Sequence, residues 1–303
     1  MKIETSRGDR CFDVICYIVM GMLLVIMVYP LYFVLIASIS DPYSVVNGKV
    51  VLLPKGVTLE PYINVLREAR VWIGYRNTLI YTIAGTALNL ILTIAAGYVM
   101  SKKALMGRKF WSAYFLVPMY FNGGLLPTYL TIKSLGLVNQ SYTLIMLGGL
   151  SIYNMIVTRV FFETTIPEEV YESAQIDGAS EFRVFLQIAV PLSGAIIAVI
   201  SLYYAVARWN EYFNALVYVS KSEYSPLQMV LRNILLQSQT ALANVTMDSM
   251  IGEEEIKDLA RQSYMAEAMK YALIIIASAP LLIVYPFVQR FFVKGVMIGA
   301  VKG

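Results

Sequence analysis

Arg208 and Glu211 stand out among the side chains that could do chemistry, because they lie in an otherwise apolar stretch. Charged groups inside a membrane segment need partners within the protein or contact with water. Tyr204, Arg208 and Glu211 have the spacing i, i+4 and i+7, which places them on one face of a helix and lets the two charges pair. One interpretation is therefore a structural ion pair that holds helices together.

Asn210 and Asn214 add hydrogen-bonding groups on a neighbouring helix face, together with Tyr203. A second interpretation is a polar, aromatic patch that lines a cavity and binds a polar solute. Under that interpretation the candidate residues of a translocation path are Tyr204, Arg208, Asn210, Glu211 and Asn214. The sequence leaves both interpretations open.

Residues for other kinds of catalysis are scarce. The chain has no histidine, and its two cysteines, Cys11 and Cys16, lie in or beside an apolar stretch where thiols act as small hydrophobic groups. These counts argue against a catalytic triad, a metal site or a histidine proton relay, and thus against an enzyme. No G-x-x-x-x-G-K-S/T motif occurs, so ATP as an energy source requires another chain.

The composition places the chain in a lipid bilayer. Of its 303 residues, 58% are hydrophobic and only 15% are charged, and the mean hydropathy is +0.64. Soluble domains contain about 25% charged residues. The net charge of +4 comes from scattered basic residues, which do not form the basic patch of a nucleic-acid-binding protein. We therefore expect an all-α membrane protein.

Six apolar stretches are long enough to cross a hydrocarbon core of about 30 Å, which takes about 20 helical residues. The predicted spans are 11–38, 77–100, 110–130, 142–162, 191–219 and 267–291. The linker 101–109 holds four basic residues and the linker 131–141 holds one, which predicts that the first is cytoplasmic. Both termini, including Lys2 and the tail 292–303, are then cytoplasmic.

Two predicted external loops, 39–76 and 220–266, are long enough to contact another protein. The third span also contains two prolines and two glycines between residues 118 and 127, which interrupt helical hydrogen bonding. This pattern allows either a kinked helix packed on its neighbours or a broken helix that lines a translocation path.

A polar segment at 163–190 separates the fourth and fifth predicted spans. Pro167 followed by Glu168 and Glu169 predicts a helix start, because proline suits the first turn and carboxylates favour the positive end of the helix dipole. Gly178 predicts the end of that helix. Pro191 is expected to open the fifth span.

A second short helix is predicted after Gly178. Its apolar residues have the spacing i, i+3, i+4 and i+7 of a single face. These residues are Phe182, Phe185, Leu186 and Ala189.

Small side chains on the first helix predict a surface that docks into another protein. Val170, Ser173, Ala174 and Asp177 share one face at helical spacing. The alternative is an amphipathic hairpin on lipid headgroups, but such helices are rich in basic residues. Residues 163–190 contain six carboxylates and one arginine, so anionic lipid would repel them.

Motifs in this segment resemble the EAA loop of binding-protein-dependent ABC importer permeases, with its pattern E-A-A-x-x-D-G-A, a spacer and I-x-x-P-L. The matching residues are Glu172, Ser173, Ala174, Asp177, Gly178, Ala179, Phe185, Ile188, Pro191 and Leu192. Ser173 replaces the middle alanine of the pattern, and Gly194 stands where many relatives have proline. Three further stretches, at 121–130, 208–219 and 292–303, resemble the carbohydrate-uptake branch of that family, especially the second permease subunit of Gram-positive oligosaccharide importers.

The resemblance implies a MetI-like transmembrane domain in which residues 163–190, here named the coupling loop, fit a cleft of an ATPase. It also implies that the tail from Lys294 to Gly303 is a second ATPase contact. The implied partners are a second homologous permease, two ABC ATPase subunits that hold ATP and Mg²⁺, and an extracellular sugar-binding (lipo)protein, at the plasma membrane of a bacterium. This chain itself then needs no cofactor.

The resemblance further implies that the path carries a carbohydrate, although in maltose-type relatives the sugar site lies largely in the partner permease. The alternative is an ion-coupled secondary transporter that works without an ATPase. It needs a coupling-ion site in the membrane. The one carboxylate well inside a predicted span is Glu211, for which Arg208 is already the predicted ion-pair partner. The lack of an inverted repeat also counts against this alternative.

Overall fold

The computed structural model describes residues 7–245 and 253–300. Within these ranges the chain is helical and holds no β-strand, which confirms the predicted all-α fold. The helices are α1 (Arg7–Ser38), α2 (Pro42–Val46), α3 (Glu60–Arg67), α4 (Ala69–Ser101), α5 (Arg108–Tyr120), α6 (Leu125–Ser134), α7 (Ser141–Met146), α8 (Ile152–Thr165), α9 (Glu168–Ile176), α10 (Glu181–Val184), α11 (Val190–Leu192), α12 (Gly194–Trp209), α13 (Phe213–Tyr218), α14 (Leu227–Val245) and α15 (Glu253–Ala300). A π-helical turn at Phe185–Ala189 joins α10 to α11.

Within residues 7–245 and 253–300, three helical stretches are long and apolar enough to cross a membrane. They are Arg10–Ser38, Ala69–Ser101 and Ser263–Pro286. A fourth is present if Glu181–Leu192 and Gly194–Trp209, which are bent by 80° at their junction, form one span. The chain is therefore a multi-spanning membrane protein, and the count of six spans stays a prediction.

The predicted third and fourth spans each consist of two shorter helices. Residues 121–124 are non-helical between α5 and α6, and residues 147–151 separate α7 from α8. Gly124 and Gly148 adopt φ values of 85° and 67° at these breaks, a region that glycine enters readily because it has no Cβ. The third span is thus broken rather than kinked, and its place on a translocation path stays a prediction.

The last predicted span lies within a longer helix. Helix α15 has 48 residues and extends beyond both ends of the predicted span 267–291. The predicted external loop 220–266 contains α14 and the start of α15, while its residues 246–252 lie outside the described ranges. The tail is helical as far as Ala300, and Lys2 and residues 301–303 lie outside the described ranges. The predicted orientation of the termini and linkers stays a prediction.

The chain divides into two compact units, residues 1–69 with 231–279 and residues 70–230 with 280–303. In the first unit, the end of α1 packs on the segment that follows it, and the ring of Phe33 meets that of Tyr271 edge-on at 5.8 Å. In the second unit, α4 supplies buried residues to two clusters, Tyr81 to one and Ile94 with Tyr98 to the other. Helix α4 is therefore central to the second unit.

Helices α4 and α8 pack at very short range beside Gly97. A Cβ atom at this position would lie 2.7 Å from Cγ2 of Thr158 and 3.2 Å from the backbone nitrogen of Arg159. Small residues at helix contacts allow the two backbones to approach. Gly97 is thus required by the spacing of the two helices.

Replacing Gly97 with valine is expected to destabilise the protein by about 1–3 kcal/mol, because the added methyl groups overpack the α4–α8 contact. The measurement is the thermal unfolding midpoint in detergent. Gly21→Val in α1 is the matched control, because no atom lies within 4 Å of its Cβ position. Equal midpoints for the two variants would contradict the close contact.

Candidate functional site

The coupling loop begins with α9, which ends in a tight glycine turn. Helix α9 follows Pro167 and carries carboxylates in its first turn. At its other end, the N–H of Gly178 donates to the carbonyl of Gln175 and the N–H of Ala179 donates to that of Ala174, both at 3.0 Å. This pair of bonds is a Schellman turn, and Gly178 occupies its left-handed position with φ 76°. The structure thus places the helix end at the glycine that the sequence indicates.

The predicted docking face of α9 is turned partly toward the protein interior. Val170 packs against the core cluster that contains Phe162, and Ala174 is buried. Only Ser173 and Asp177 of the four predicted face residues are exposed. The expectation that all four form one outward surface is wrong, because α9 uses its apolar side to cover the core.

The apolar residues of the second coupling helix also divide between two directions. Phe185 lies 4.9 Å from Tyr98 between ring centroids, and Ala189 is fully buried. Phe182 and Leu186 are exposed instead. The prediction of a single apolar face is wrong because it assumes regular α-helical spacing, whereas Phe185–Ala189 form a wider π-helical turn.

The fifth predicted span begins later than Pro191. Pro191 is exposed and lies in α11, which continues the second coupling helix. The chain then bends by 80° before α12, which begins at Gly194.

Three large apolar side chains of the coupling loop are exposed, and together they are here named the apolar tip. Ile176 at the end of α9 is 86% exposed, Phe182 in α10 is 71% exposed and Leu186 is 48% exposed. Ile176 and Phe182 flank the Gly178 turn in the chain. The exposed acidic residues of α9 and its end include Glu169, Glu172 and Asp177. Sequence periodicity missed Ile176, although a bulky residue beside a tight turn is a readable signal.

The basic linker 101–109 contacts the coupling loop through ion pairs. Lys103 pairs with Glu168, and Arg108 pairs with Glu163, which also accepts from Arg159. A cleft of about 940 Å³ lies between the linker and the coupling loop. In the sequence, these charges indicated only the orientation in the membrane and repulsion from anionic lipid. The ion pairs themselves were not predicted, because their members are 55 and 65 residues apart in the chain.

Arg208 is buried at the end of α12, where it is 7% exposed and makes three hydrogen bonds. Its Nε donates to Oδ1 of Asn89 at 3.0 Å, and its Nη atoms donate to the carbonyls of Leu144 and Ile145 at 2.7 and 3.2 Å. These carbonyls belong to the last turn of α7 and have no partner within that helix. A cation at a helix C-terminus is also favoured by the helix dipole.

Asn89 and Tyr204 form hydrogen bonds with further backbone groups of the α7–α8 break. Nδ2 of Asn89 donates to the carbonyls of Gly148 and Gly149 at 2.6 and 2.7 Å. The hydroxyl of Tyr204 accepts from the N–H of Ser151 at 3.1 Å and shares a hydrogen bond with Thr93. Side chains of α4 and α12 therefore hold the break in a fixed geometry.

The predicted ion pair between Arg208 and Glu211 is wrong. Helix α12 ends at Trp209, so Glu211 lies beyond the helix and Oε1 of its carboxylate accepts from the N–H of Asn214 at 3.2 Å. Asn210 is exposed and donates to the carbonyl of Val206.

The five candidate path residues thus fall into two groups. Tyr204 and Arg208 are buried and hold other backbone segments, whereas Asn210 is exposed and Glu211 and Asn214 are half-buried. A role of any of them in translocation stays a prediction.

Residues 5–298 match the protein family described as binding-protein-dependent transport system inner membrane component. The chain is 35% identical over 302 residues to protein LplC of Bacillus subtilis, covering 99% of this chain and 98% of that protein. It is 34% identical to the polygalacturonan/rhamnogalacturonan transport system permease protein YtcP of the same organism, covering 97% of this chain and 99% of the relative.

A solved structure is also similar. The fold superposes with a TM-score of 0.84 on a chain from the crystal structure of a bacterial ABC transporter involved in the import of the acidic polysaccharide alginate. The two sequences are 30% identical, and the match covers 96% of this chain and 100% of the other.

Replacing Arg208 with methionine is expected to cost about 3 kcal/mol of stability, because two buried acceptors and one partly buried acceptor lose a charged donor. The measurement is unfolding in detergent. Glu211→Gln is the matched control and is expected to change stability by less than about 0.5 kcal/mol. An equal loss of stability in both variants would contradict this assignment and support an ion pair between Arg208 and Glu211.

Proposed function

Since this chain belongs to the family of binding-protein-dependent transport system inner membrane components, we propose that it conducts an oligosaccharide across a bacterial plasma membrane as one permease of an ATP-driven importer. The family match and the relatives extend over nearly the whole chain, and this observation carries the proposal. The names of YtcP and of the arabinooligosaccharides transport system permease protein AraQ of Halalkalibacterium halodurans support an oligosaccharide as cargo.

The proposed importer contains further subunits. Permeases of this family work with a partner permease, ATPases and a binding protein. We infer a second homologous permease, two ABC ATPases that hold ATP and Mg²⁺, and an extracellular sugar-binding (lipo)protein that delivers the cargo. The absence of a phosphate-binding motif from the sequence supports placing ATP hydrolysis on another chain.

The proposed ATPase contact is the outward side of the coupling loop. The apolar tip exposes Ile176 and Phe182 to solvent, which is costly for large apolar groups unless another protein covers them. Glu172 and Asp177 are exposed nearby in the chain. The complementary surface on the ATPase is a groove with an apolar floor and basic residues on its rim.

Ion-coupled transport without an ATPase is not favoured, because the matched family belongs to binding-protein-dependent transport systems and the similar solved structure is an ABC transporter. On the proposed path, Asn210 and Asn214 are candidates for contact with the cargo. Tyr204 and Arg208 position the helices around the path. The tail from Lys294 remains a proposed second ATPase contact.

Purification of the complex from its native membrane tests the proposed function. We expect a second permease and an ABC ATPase to co-purify with this chain, and the importer's binding protein to retain an oligosaccharide from a mixed glycan pool. Separate trials with the neutral and the acidic fractions of that pool show whether the retained oligosaccharide is neutral or acidic. Recovery of this chain without any ATPase would contradict the proposal.

Replacing Phe182 with aspartate is expected to weaken ATPase binding by roughly 30-fold, which corresponds to about 2 kcal/mol for a central aromatic contact. Folding should be unchanged, because the ring is exposed. The measurement is the ATPase recovered per permease in detergent.

Met106→Asp is the matched control, because Met106 is 91% exposed in the linker 101–109 and outside the apolar tip. We expect this variant to keep wild-type ATPase binding. Wild-type recovery of the ATPase with Phe182→Asp would exclude the apolar tip from the contact.

A further inference from the structure

Tyr98, near the end of α4, lies where both coupling helices meet the core. Its buried ring has centroid distances of 5.6 Å to Phe162 in α8, 6.1 Å to Tyr171 in α9 and 4.9 Å to Phe185. Edge-on and tilted ring pairs at these distances are favourable. Helix α4 therefore contacts both parts of the coupling loop through one side chain.

Lys102, one turn after Tyr98, places its ammonium group between two rings. Its Nζ lies 3.5 Å from the ring centroid of Tyr171 and 4.5 Å from that of Tyr98, the geometry of a cation–π contact with both. Burial lowers the pKa of Lys102, whereas the nearby carboxylates of Glu181 and Glu168 favour its charged form. Burial also raises the pKa of Tyr171 to about 12, so its phenol is neutral at pH 7.

Glu181 joins the same group of residues from α10. Its Oε2 accepts from the hydroxyl of Tyr98 at 3.3 Å, and its Oε1 accepts from Nε2 of Gln175 in α9 at 2.9 Å. The two coupling helices are thus bonded to each other and to α4. We name the group formed by Tyr98, Lys102, Tyr171, Gln175 and Glu181 the α4 joint.

Helix α4 connects this joint to the broken fourth span. It is an uninterrupted helix of 33 residues, and Asn89, which holds the carbonyls of Gly148 and Gly149, lies nine residues before Tyr98. At 1.5 Å per residue this is about 13 Å along the helix axis. A displacement of the coupling loop therefore reaches the α7–α8 break through one rigid element.

We propose that Lys102 is a positioning residue that transmits movement of the coupling loop to α4 through its contacts with Tyr171 and Tyr98. The inference rests on the proposed function, because it takes the ATPase as the source of that movement. Lys103, the next residue, makes an exposed ion pair with Glu168, which solvent screens and which contributes little rigidity. The two adjacent lysines thus have different expected roles.

The test uses the complex with its co-purified ATPase, reconstituted in lipid nanodiscs. A bimane fluorophore is attached to cysteine in an Ile83→Cys chain whose Cys11 and Cys16 are replaced by serine. Ile83 is exposed on α4, so the label reports the surroundings of that helix. The readout is the change in bimane emission when MgATP and vanadate are added.

We expect Lys102→Met and Tyr171→Leu to reduce this change at least threefold while ATPase recovery and basal hydrolysis stay at the unsubstituted level. Lys103→Met, Tyr171→Phe and Lys102→Arg should keep the change, because they retain the half-buried cation and the ring. The double variant Lys102→Met with Tyr171→Leu should be no worse than either single variant, since the two residues share one contact.

An unchanged emission response in Lys102→Met would overturn the inference, as would the absence of any response in the unsubstituted complex. An equal loss in Lys103→Met would assign the effect to general charge rather than to the α4 joint, and would also overturn it. Absence of the ATPase from the unsubstituted preparation would contradict the proposed function itself, which distinguishes the two failures.

Discussion

A helix that breaks inside a membrane leaves backbone N–H and C=O groups that lipid cannot satisfy, and each such group costs several kcal/mol. The α7–α8 break falls within the predicted fourth span. Arg208 and Asn89 supply donors to four carbonyls there, and Tyr204 accepts the N–H of Ser151. Because these donors and acceptors come from α4 and α12, the positions of three parts of the second unit depend on one buried network.

The same helix α4 meets the coupling loop at its other end. Tyr98 lies between the two coupling helices, and Gly97 brings the backbone of α8 within contact of α4. The Schellman turn at Gly178 fixes the angle between α9 and α10, while the apolar tip stays outside the core. One face of the loop therefore packs on the core of this chain, and the opposite face is exposed, where we propose that the ATPase binds.

Local signals in the sequence predicted local structure well. Pro167 and Gly178 mark the limits of α9 because capping and left-handed geometry depend on adjacent residues only. The predicted single apolar face of the second coupling helix was wrong because the π-helical turn changes the residue spacing. The predicted ion pair between Arg208 and Glu211 was wrong because α12 ends at Trp209. The partner of Arg208, Asn89, is 119 residues away in the sequence, so no spacing rule could have found it.

We propose that the outward face of the coupling loop contacts the ATPase, and crosslinking in the native membrane probes that contact. A photo-crosslinking amino acid at position 182, compared with one at position 106, reports the protein that lies against each site. We expect a crosslink to the ATPase from position 182 and none from position 106. Crosslinks from position 182 to lipid alone, with the ATPase present, would contradict it.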